Sequence, residues 1–424
     1  MTGERTRSAE AMNVMVQADN SGLVVKAVRG EEVLGYLVVD SLVNGTCCGG
    51  LRMVQDIDEA QLRAAARSMT LKYGYVGVAQ GGAKAGVRGD PEAPEPVRTA
   101  RLLEFARAIA PLLRGGLYAP YQDIGTDNDL IRLMLRQVGV RVRRRQLFKT
   151  PSGHYTALSV RACAAEAARH RGLDLAGCTV AIEGFGKVGA PLATLMTDAG
   201  ARVVAVSTSR GAIHAPGGLD THRLAAMAEE TGSRVVEAYG QADRIEKEAL
   251  LELPVDLLCP CARHHSLHAG NAARVAARIV CPGANNPYAP GVDAVLLQRG
   301  VLVLPDFMAN CGGVLGGTMQ FASLGQDRIA EYIDRHIGGH VAAILAEADR
   351  QGVTPARIAE GIALRRFERF RRAAEHPTLS GRMLGAALAM YRSGLLPSLA
   401  VTVLAPGYFR RVLALSERDW PNDG

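Results

Sequence analysis

The sequence has 424 residues, 48% of them hydrophobic and 21% charged, which is enough for two or three globular domains with a sizeable core. Its eight cysteines are too few for a disulfide framework in so long a chain, so we expect a reduced, cytoplasmic protein. The longest uncharged stretch, 393–409, holds two prolines and is shorter than a membrane span, and the charged start "MTGERTRSAEAMN" is not a signal peptide.

The net charge is +7, and arginines scattered along the chain supply most of the positive charge. Only the run "RVRRRQ" at 141–146 is densely basic. A nucleic-acid surface is one interpretation of this run, but a solvated face or a salt-bridged subunit contact is favoured. We therefore expect no nucleic-acid partner and no membrane partner.

The first 150 residues alternate between short strands and helices. "GLVVKAV" and "YLVVDSL" predict strands within 22–53, a region that ends in "CCGGLRM". Residues 57–72 predict a helix, because apolar residues from Leu62 to Met69 recur at helical spacing, and Lys72 lies near its end. A short strand leads to "QGGAKAG", and residues 98–112 predict a second helix.

Three charged residues of this half stand out. In "GGAKAGVRGDP" (81–91), Lys84 lies between small residues. Small neighbours would let a small substrate approach this lysine closely. In "YQDIGTDNDL", Thr126 followed by Asp129 predicts a capping box that opens a helix, so Asp123 lies in the loop before it. We expect Lys72, Lys84 and Asp123 on three separate loops.

The second half has the pattern of a dinucleotide-binding fold. Residues 178–211 read as strand, glycine turn, helix, glycine stop and strand, and the turn "GFGKVG" carries the G-x-G-x-x-G spacing. Gly184 makes the tight turn, Gly186 lets a pyrophosphate approach, and Gly189 lets the helix pack on the strand. The helix N-terminus offers free N–H groups to the phosphates. We therefore expect NAD or NADP as the cofactor.

Further strands at 255–260, 278–287 and 301–306 alternate with helices, which predicts a parallel, doubly wound sheet. After 320 the chain is mostly helical. The predicted fold is α/β with two domains: an α/β substrate-binding and catalytic domain at 1–150 and a Rossmann-type dinucleotide-binding domain at 151–320. A helical C-terminal region at 321–424 is expected to pack partly on the substrate domain.

A nicotinamide cofactor moves a hydride, and the protein must position and polarise the donor carbon. Two lysines and a carboxylate suit an anionic substrate. One lysine can pair with a carboxylate, and the other can polarise a carbonyl or imine if its pKa is lowered. The aspartate can move a proton. For each residue alone, an ordinary salt bridge is the alternative.

Several motifs together resemble one enzyme family, the glutamate/leucine/phenylalanine/valine dehydrogenases. They occur in the family's order and cover roughly 20–370; the leucine and valine branch is most similar around 81–91. The matching segments are "GGLRM" (49–53), "MTLK" (69–72), "GGAKAGVRGDP", "YQDIGT" (121–126), "VAIEGFGKVG", "GANNP" (283–287) and "ANCGGVLGG" (309–317).

The resemblance implies a role for each matching residue. Lys72 would hold the substrate α-carboxylate, Lys84 would activate water, and Asp123 would exchange protons with the amine. Gly50 would also contact substrate, Ser152 and Gly153 would lie beside the nicotinamide, and Asn285 and Asn310 would contact cofactor and substrate. The cofactor turn comprises Gly184, Phe185, Gly186, Lys187, Val188 and Gly189.

Two positions differ from the glutamate-specific members. Cys48 stands where their lysine precedes "GGLR", and Gly317 stands where they carry a serine. Neither can pair with a side-chain carboxylate, and a buried unpaired carboxylate is costly. Glutamate is therefore disfavoured, and the absence of a side chain at Gly317 favours a larger or unusual side chain.

The cofactor's ribose is expected to meet the end of the second strand, "VSTSRG". NAD-specific enzymes place an acidic residue there, whereas this chain has Ser207, Thr208, Ser209 and Arg210. Hydroxyls and an arginine suit the 2′-phosphate of NADP, so we expect NADP to be tolerated; a plain polar turn is the alternative. Lys187 adds positive charge at the helix start.

"CPCARHH" and nearby residues have metal-binding side chains but lack the paired spacing of zinc sites, so no metal is expected. The residues concerned are Cys259, Cys261, His264, His265 and Cys281.

The resemblance implies a homo-oligomeric amino-acid dehydrogenase that reversibly converts an L-amino acid to a 2-oxo acid and ammonia, and we expect a substrate with an apolar or non-standard side chain. Two alternatives stay open. One is a catalytically altered relative that serves as a binding or scaffolding subunit. The other is a dehydrogenase that tailors an unusual amino acid in specialised metabolism.

Overall fold

The structure is a computed structural model, and it describes residues 12–19, 22–142, 150–393 and 395–421. Most of the basic run at 141–146 lies outside these residues. The described chain divides into two compact units. The first unit lies within Met1–Tyr73, Val78–Lys149 and Phe367–Pro397, and the second within Gly74–Gly77, Thr150–Arg366 and Ser398–Gly424. The domain boundaries drawn at 150/151 and 320/321 remain predictions.

The first unit is built on a six-stranded sheet with the order β1-β2-β3-β5-β4-β6. β4 pairs in parallel with β5 and β6, and the other neighbours are antiparallel. The strands are β1 (Met12–Asp19), β2 (Gly22–Arg29), β3 (Glu32–Val39), β4 (Cys47–Val54), β5 (Gly81–Arg88) and β6 (Tyr118–Gln122). The helices are α1 (Glu59–Val76, whose last turn belongs to the second unit), α2 (Glu95–Ala108), α3 (Ala110–Arg114), α4 (Asn128–Gln137) and α16 (Leu379–Ser393).

The small residues around Lys84 form a strand, because β5 is paired on both edges and must admit α1 closely. A Cβ on Gly82 would lie 2.4 Å from the backbone nitrogen of Thr70 in α1, and one on Gly86 would lie 2.0 Å from Cδ1 of Ile57. The prediction of three separate loops is therefore wrong for both lysines. Lys72 lies in α1 and Lys84 in β5; only Asp123 lies in a loop.

The predicted capping box at Thr126 is also wrong. The carboxylate of Asp127 caps α4 by accepting hydrogen bonds from the N–H groups of Asp129 and Leu130 at 2.9 and 2.8 Å. The Thr126 hydroxyl instead donates to the Leu51 carbonyl at 2.6 Å and accepts from the N–H of Asp123 at 3.0 Å. Thr126 thus fixes the loop that carries Asp123 against β4, and the capping position moves one residue along.

The second unit contains the predicted doubly wound sheet, in the order β10-β9-β8-β7-β11-β12-β13. Strands β8, β7, β11, β12 and β13 are parallel. The strands are β7 (Thr179–Glu183), β8 (Arg202–Thr208), β9 (Gly211–His214), β10 (Asp243–Ile245), β11 (Leu257–Pro260), β12 (Ile279–Val280) and β13 (Leu302–Val303). The antiparallel pairs β8–β9 and β9–β10 were not predicted, because β9 and β10 are too short to show a period.

The second unit also contains helices, and beyond residue 320 they are those up to Arg366 and one more after Ser398. The helices of this unit are α5 (Ser152–His170), α6 (Gly189–Asp198), α7 (Thr221–Thr231), α8 (Val235–Ala238), α9 (Lys247–Leu250), α10 (Val292–Gln298), α11 (Asp306–Ala309), α12 (Gly312–Phe321), α13 (Gln326–Tyr332), α14 (Gly338–Gln351), α15 (Pro355–Glu375, which continues into the first unit) and α17 (Ser398–Leu413). Within the described residues, no helix is long and apolar enough to cross a membrane.

A fully buried arginine anchors the C-terminal segment of the second unit. Arg366 donates to the carbonyls of Gly74, Val412 and Ala414 at 3.2, 2.6 and 3.2 Å, and its Nη1 lies 3.3 Å from a carboxylate oxygen of Asp419. Both side chains are almost inaccessible to water, with exposed fractions of 0% and 1%. Such a pair resists disruption, since removing one partner leaves a buried charge uncompensated.

The last residue of β7, Glu183, is buried directly before the glycine turn. Burial raises the pKa of this carboxyl to about 7, although the N–H of Ala262 opposes the rise. Its Oε2 accepts no hydrogen bond from the described part of the chain. The folded protein therefore favours protonated Glu183, and this group's contribution to stability is lost as the pH rises through about 7.

We expect Glu183→Gln to flatten the pH dependence of stability. The pKa rises from 4.5 to about 7 on folding, which corresponds to a loss on the order of 3 kcal/mol in the free energy of unfolding between pH 5 and pH 8 in the wild type. Chemical denaturation of both proteins at the two pH values checks this. Parallel pH profiles for wild type and variant would contradict it.

Candidate active site

A buried lysine–carboxylate contact forms the centre of the site in the first unit. Nζ of Lys84, on β5, lies 2.6 Å from Oδ2 of Asp123, just beyond β6. The exposed fractions of the two side chains are 4% and 15%. β4 lies between these strands, and its Gly50 pairs with Tyr121 of β6. The strand order therefore brings Lys84 and Asp123 together although they are distant in the sequence.

Gly50 has no side chain because the two charged groups occupy that space. A Cβ there would lie 2.9 Å from Oδ2 of Asp123 and 3.0 Å from Nζ of Lys84. Any larger residue would push the charged groups apart or move them. The glycine predicted to contact substrate thus keeps the lysine and the carboxylate accessible to one another.

Arg52 is a member of this cluster that the sequence analysis missed. Its Nε lies 3.3 Å from the same Oδ2 of Asp123, and the residue is 7% exposed. The signal was present in "GGLRM", since a charged residue in an otherwise apolar, buried strand is unusual. Arg52 and Gly50 are two residues apart on β4 and therefore point to the same face of the sheet.

The electrostatics of the cluster fit acid–base work. Burial lowers the pKa of Lys84, and the nearby Arg52 lowers it further, while Asp123 partly opposes the change. For Asp123, burial raises the pKa, but Lys84 and Arg52 outweigh burial and hold it well below its usual range. The site thus holds a lysine that gives up its proton more readily than usual beside a carboxylate that stays ionised.

Cys48 and Lys72 lie in the same unit, on β4 and in α1. Cys48 precedes Gly50 by two residues on β4, so both point to the face that α1 covers. Burial raises the pKa of the Cys48 thiol to about 12, and hydrogen bonds to Tyr73 and Tyr121 oppose the rise. Lys72 is 5% exposed in α1, directly before Tyr73. The tyrosines were not predicted as site residues.

The second unit contains the glycine turn with the geometry that the motif requires. Gly184 has a φ of +92°, which a residue with a side chain rarely adopts. A Cβ on Gly189 would lie 1.8 Å from the carbonyl oxygen of Gly184, so only glycine lets α6 begin here. Gly186 has nothing within 4 Å of its Cβ position, which leaves its backbone open to a ligand.

The N-terminus of α5 lies beside this turn. A Cβ on Gly153 would lie 2.0 Å from the carbonyl oxygen of Lys187. The structure therefore brings Ser152 and Gly153 close to the predicted cofactor turn, and their place beside the nicotinamide remains a prediction. Phe185 and Val188 belong to the same turn, and the N–H of Phe185 donates to the Ser207 carbonyl at 2.6 Å.

The buried Asn310 and the half-buried Asn285 form one cluster. Nδ2 of Asn310 donates to the Ala284 carbonyl at 2.9 Å and to Oδ1 of Asn285 at 3.1 Å. Its own Oδ1 is buried and accepts no hydrogen bond from the residues that the structure describes. A buried acceptor without a donor is costly, so this atom suits a hydrogen bond from a ligand such as the cofactor amide.

The predicted ribose-binding residues separate into two groups. The Ser207 hydroxyl is buried and accepts from the N–H of Gly184 at 3.0 Å, so it braces the turn. The Thr208 hydroxyl donates to the Ser233 carbonyl at 2.7 Å. Ser209 and Arg210 are exposed in the tight connection between β8 and β9.

Among the described residues, no group of three or more histidine, cysteine, aspartate or glutamate side chains could hold a metal ion.

Two models of one protein family match the chain. The model of the "Glutamate/Leucine/Phenylalanine/Valine dehydrogenase" matches residues 152–374, and that of the "Glu/Leu/Phe/Val dehydrogenase, dimerisation domain" matches 22–139. A glutamate dehydrogenase of Thermotoga maritima is 35% identical over 297 residues, which are 67% of this chain and 71% of the relative. An NAD-specific glutamate dehydrogenase of Staphylococcus aureus is 31% identical over 66% of this chain and 70% of the relative.

Among solved structures, the hetero-hexameric glutamate dehydrogenase of Thermus thermophilus in its leucine-bound form is similar, with a TM-score of 0.69 and 24% identity. The match covers 88% of this chain and 90% of that one, and it supports the two-domain α/β fold. Family models, relatives and glycine turn agree on an oxidoreductase that uses NAD(P). The chain therefore belongs to the glutamate/leucine/phenylalanine/valine dehydrogenase family of amino-acid dehydrogenases.

Proposed function

We propose that the protein catalyses the reversible, NAD(P)-dependent oxidative deamination of an L-amino acid with an apolar side chain, giving a 2-oxo acid and ammonia. The observation that carries this proposal is the buried contact of 2.6 Å between Lys84 and Asp123 beside Gly50. It supplies a base and a proton carrier at one place in a site that excludes most water.

Each charged residue has a distinct part in the proposed reaction. Lys72 binds the α-carboxylate of the substrate, since a buried ammonium is stabilised by an anion. The bound nicotinamide supplies the acceptor for the hydride from Cα. Lys84 takes a proton from water as it attacks the iminium carbon, and its lowered pKa makes this transfer easier. Asp123 moves protons to and from the substrate nitrogen, and Arg52 positions its carboxylate.

The side-chain preference rests on Cys48 and Gly317. Cys48 is buried with a pKa raised to about 12, so it is a neutral thiol and cannot pair with a carboxylate. At Gly317, a Cβ would meet only Thr150, at 3.8 Å, so this position leaves room beside α12. Both features favour an aliphatic, aromatic or otherwise large apolar side chain over glutamate, although the relatives named above are glutamate dehydrogenases.

A homo-oligomer is part of the proposal. β1 is an edge strand of the first unit's sheet, all of its residues are exposed, and they include Met15 and Val16 with exposed fractions of 60% and 65%. An exposed apolar edge strand is a template for pairing with another chain. A second copy of this chain would cover it.

The first test of the proposal is catalytic. We expect Lys84→Ala and Asp123→Asn each to lower kcat by about a thousandfold or more, because each removes a group that acts in the reaction. Steady-state rates of cofactor reduction with an L-amino acid measure this, and cofactor binding is followed by fluorescence titration. Lys26→Ala, on β2 of the same sheet, is the control. Turnover near that of the wild type in either variant contradicts the assignment, and no turnover by the wild type on any L-amino acid supports a non-catalytic relative instead.

The second test concerns the substrate. We expect kcat/KM for leucine or phenylalanine to exceed that for glutamate by at least about tenfold, because nothing at Cys48 or Gly317 pairs with the side-chain carboxylate. Gly317→Ser should lower kcat/KM for the largest side chains most, since its hydroxyl occupies the open space. Comparable efficiency on glutamate and leucine would place the side-chain pocket elsewhere.

The third test concerns the cofactor. We propose that the protein accepts NADP as well as NAD, because the β8–β9 connection offers Ser209 and Arg210 and no acid to repel a 2′-phosphate. Arg210→Ala should raise KM for NADP about tenfold with little change for NAD. Arg202→Ala, at the other end of β8, is the control. A preference of the wild type for NAD above about a hundredfold, roughly 2.7 kcal/mol, overturns the proposal.

A further inference from the structure

The second unit contains a cavity of about 170 Å³ that has no part in the proposed reaction. It lies between the C-terminal helix α17 and the segment formed by α13 and the π-helical turn Ile333–Ile337. None of its lining residues belongs to the glycine turn, the asparagine cluster or the Lys84 site. It is smaller than the roughly 300 Å³ of ordinary ligand pockets, so only a small group fits.

Two aromatic rings and a proline form one part of the wall. The rings of Tyr332 and His336 are stacked, with centroids 5.5 Å apart and an angle of 25° between their planes. The Tyr332 hydroxyl donates to the Pro406 carbonyl at 2.9 Å, which joins α13 to α17. This contact fixes the wall, because the tyrosine is largely buried and its hydrogen bond is satisfied.

The rest of the lining is cationic. Arg328, Arg335 and Arg410 face the cavity together with a single carboxylate, Glu331. Arg335 is paired with Glu331, at 2.9 Å between Nη2 and Oε1. Neither Arg328 nor Arg410 forms a salt bridge within the described part of the chain. Two exposed arginines from distant parts of the sequence therefore line one small space, and neither is paired with the carboxylate of Glu331.

Each guanidinium carries five N–H donors, and Arg328 and Arg410 are exposed, so their donors are accessible to an anion from solution. The planar fork of a guanidinium matches the oxygens of phosphate, and two forks can share one tetrahedral group. A burial-lowered pKa at His336 keeps that ring neutral, so it can accept or donate a single hydrogen bond.

We propose that this cavity is a binding site for a small phosphate-bearing anion, held by Arg328 and Arg410 and backed by the Tyr332–His336 stack. The anion is inorganic phosphate or the phosphate group of a small ester. Since it bridges α13 and α17, it stabilises the packing of the C-terminal helix in the second unit. The site is independent of the proposed reaction, and its occupation is measurable without any substrate.

Calorimetric titration of the full-length protein with inorganic phosphate and, separately, with glycerol 3-phosphate tests the proposal. Ionic strength is held constant so that screening does not differ between arms. We expect a Kd of about 1 mM or tighter for at least one of them, and a rise in melting temperature with ligand concentration. The arm with the tighter Kd identifies the free ion or the ester as the ligand.

The double substitution Arg328→Ala and Arg410→Ala should weaken binding by at least about tenfold. Arg357→Ala, an exposed arginine of α15 outside the cavity, is the control and should leave Kd unchanged. Both variants keep the glycine turn, so any phosphate bound there contributes equally to each. The double substitution Arg328→Lys and Arg410→Lys keeps both positive charges, so this variant should bind phosphate with an intermediate Kd. Binding by this variant would show that α13 and α17 still pack when both arginines are replaced. Equal Kd values for the double alanine variant and the Arg357 control, or no binding by the wild type at about 10 mM ligand, overturn the proposal.

Discussion

The buried contact between Lys84 and Asp123 constrains the first unit more than any other single interaction. It depends on β4 running between β5 and β6 and on glycine at position 50, and Arg52 adds a second cation beside the carboxylate. A buried charge without its partner is costly, so each of these features supports the others. The same cluster sets both pKa values: burial lowers the pKa of Lys84, and the two neighbouring cations keep Asp123 ionised.

In both units, glycines allow the backbone of a helix to lie close to a neighbouring strand or turn. In the first unit, Gly82 lets the backbone of α1 lie against β5, which places this helix on the sheet face that carries Lys84. In the second unit, Gly153 and Gly189 let two helix N-termini meet the turn at the end of β7. Glycine thus serves helix–sheet packing in one unit and the predicted pyrophosphate site in the other.

The sequence predicted the fold class, the family and the glycine turn, because each depends on local patterns with a strong period or a fixed spacing. It did not predict that Lys84 lies in a strand, since glycine and alanine carry little strand propensity and only pairing on both edges decides the outcome. Arg52, Tyr73 and Tyr121 were missed because their roles come from register across β4 and β6 and from packing of α1. The cap at Asp127 was missed because Thr126 is engaged by β4.

The cysteines have a practical consequence. All eight are free thiols, and seven of them are buried. Burial raises the pKa of each of Cys47, Cys48 and Cys259 to about 12, so these three thiols form almost no reactive thiolate in the folded protein near neutral pH. Alkylating reagents therefore reach these sulfurs mainly when the chain opens. The rate at which each thiol is alkylated therefore measures how often the chain opens around it. Cys47 and Cys48 would report on the first unit, and Cys163 and Cys281 on the second.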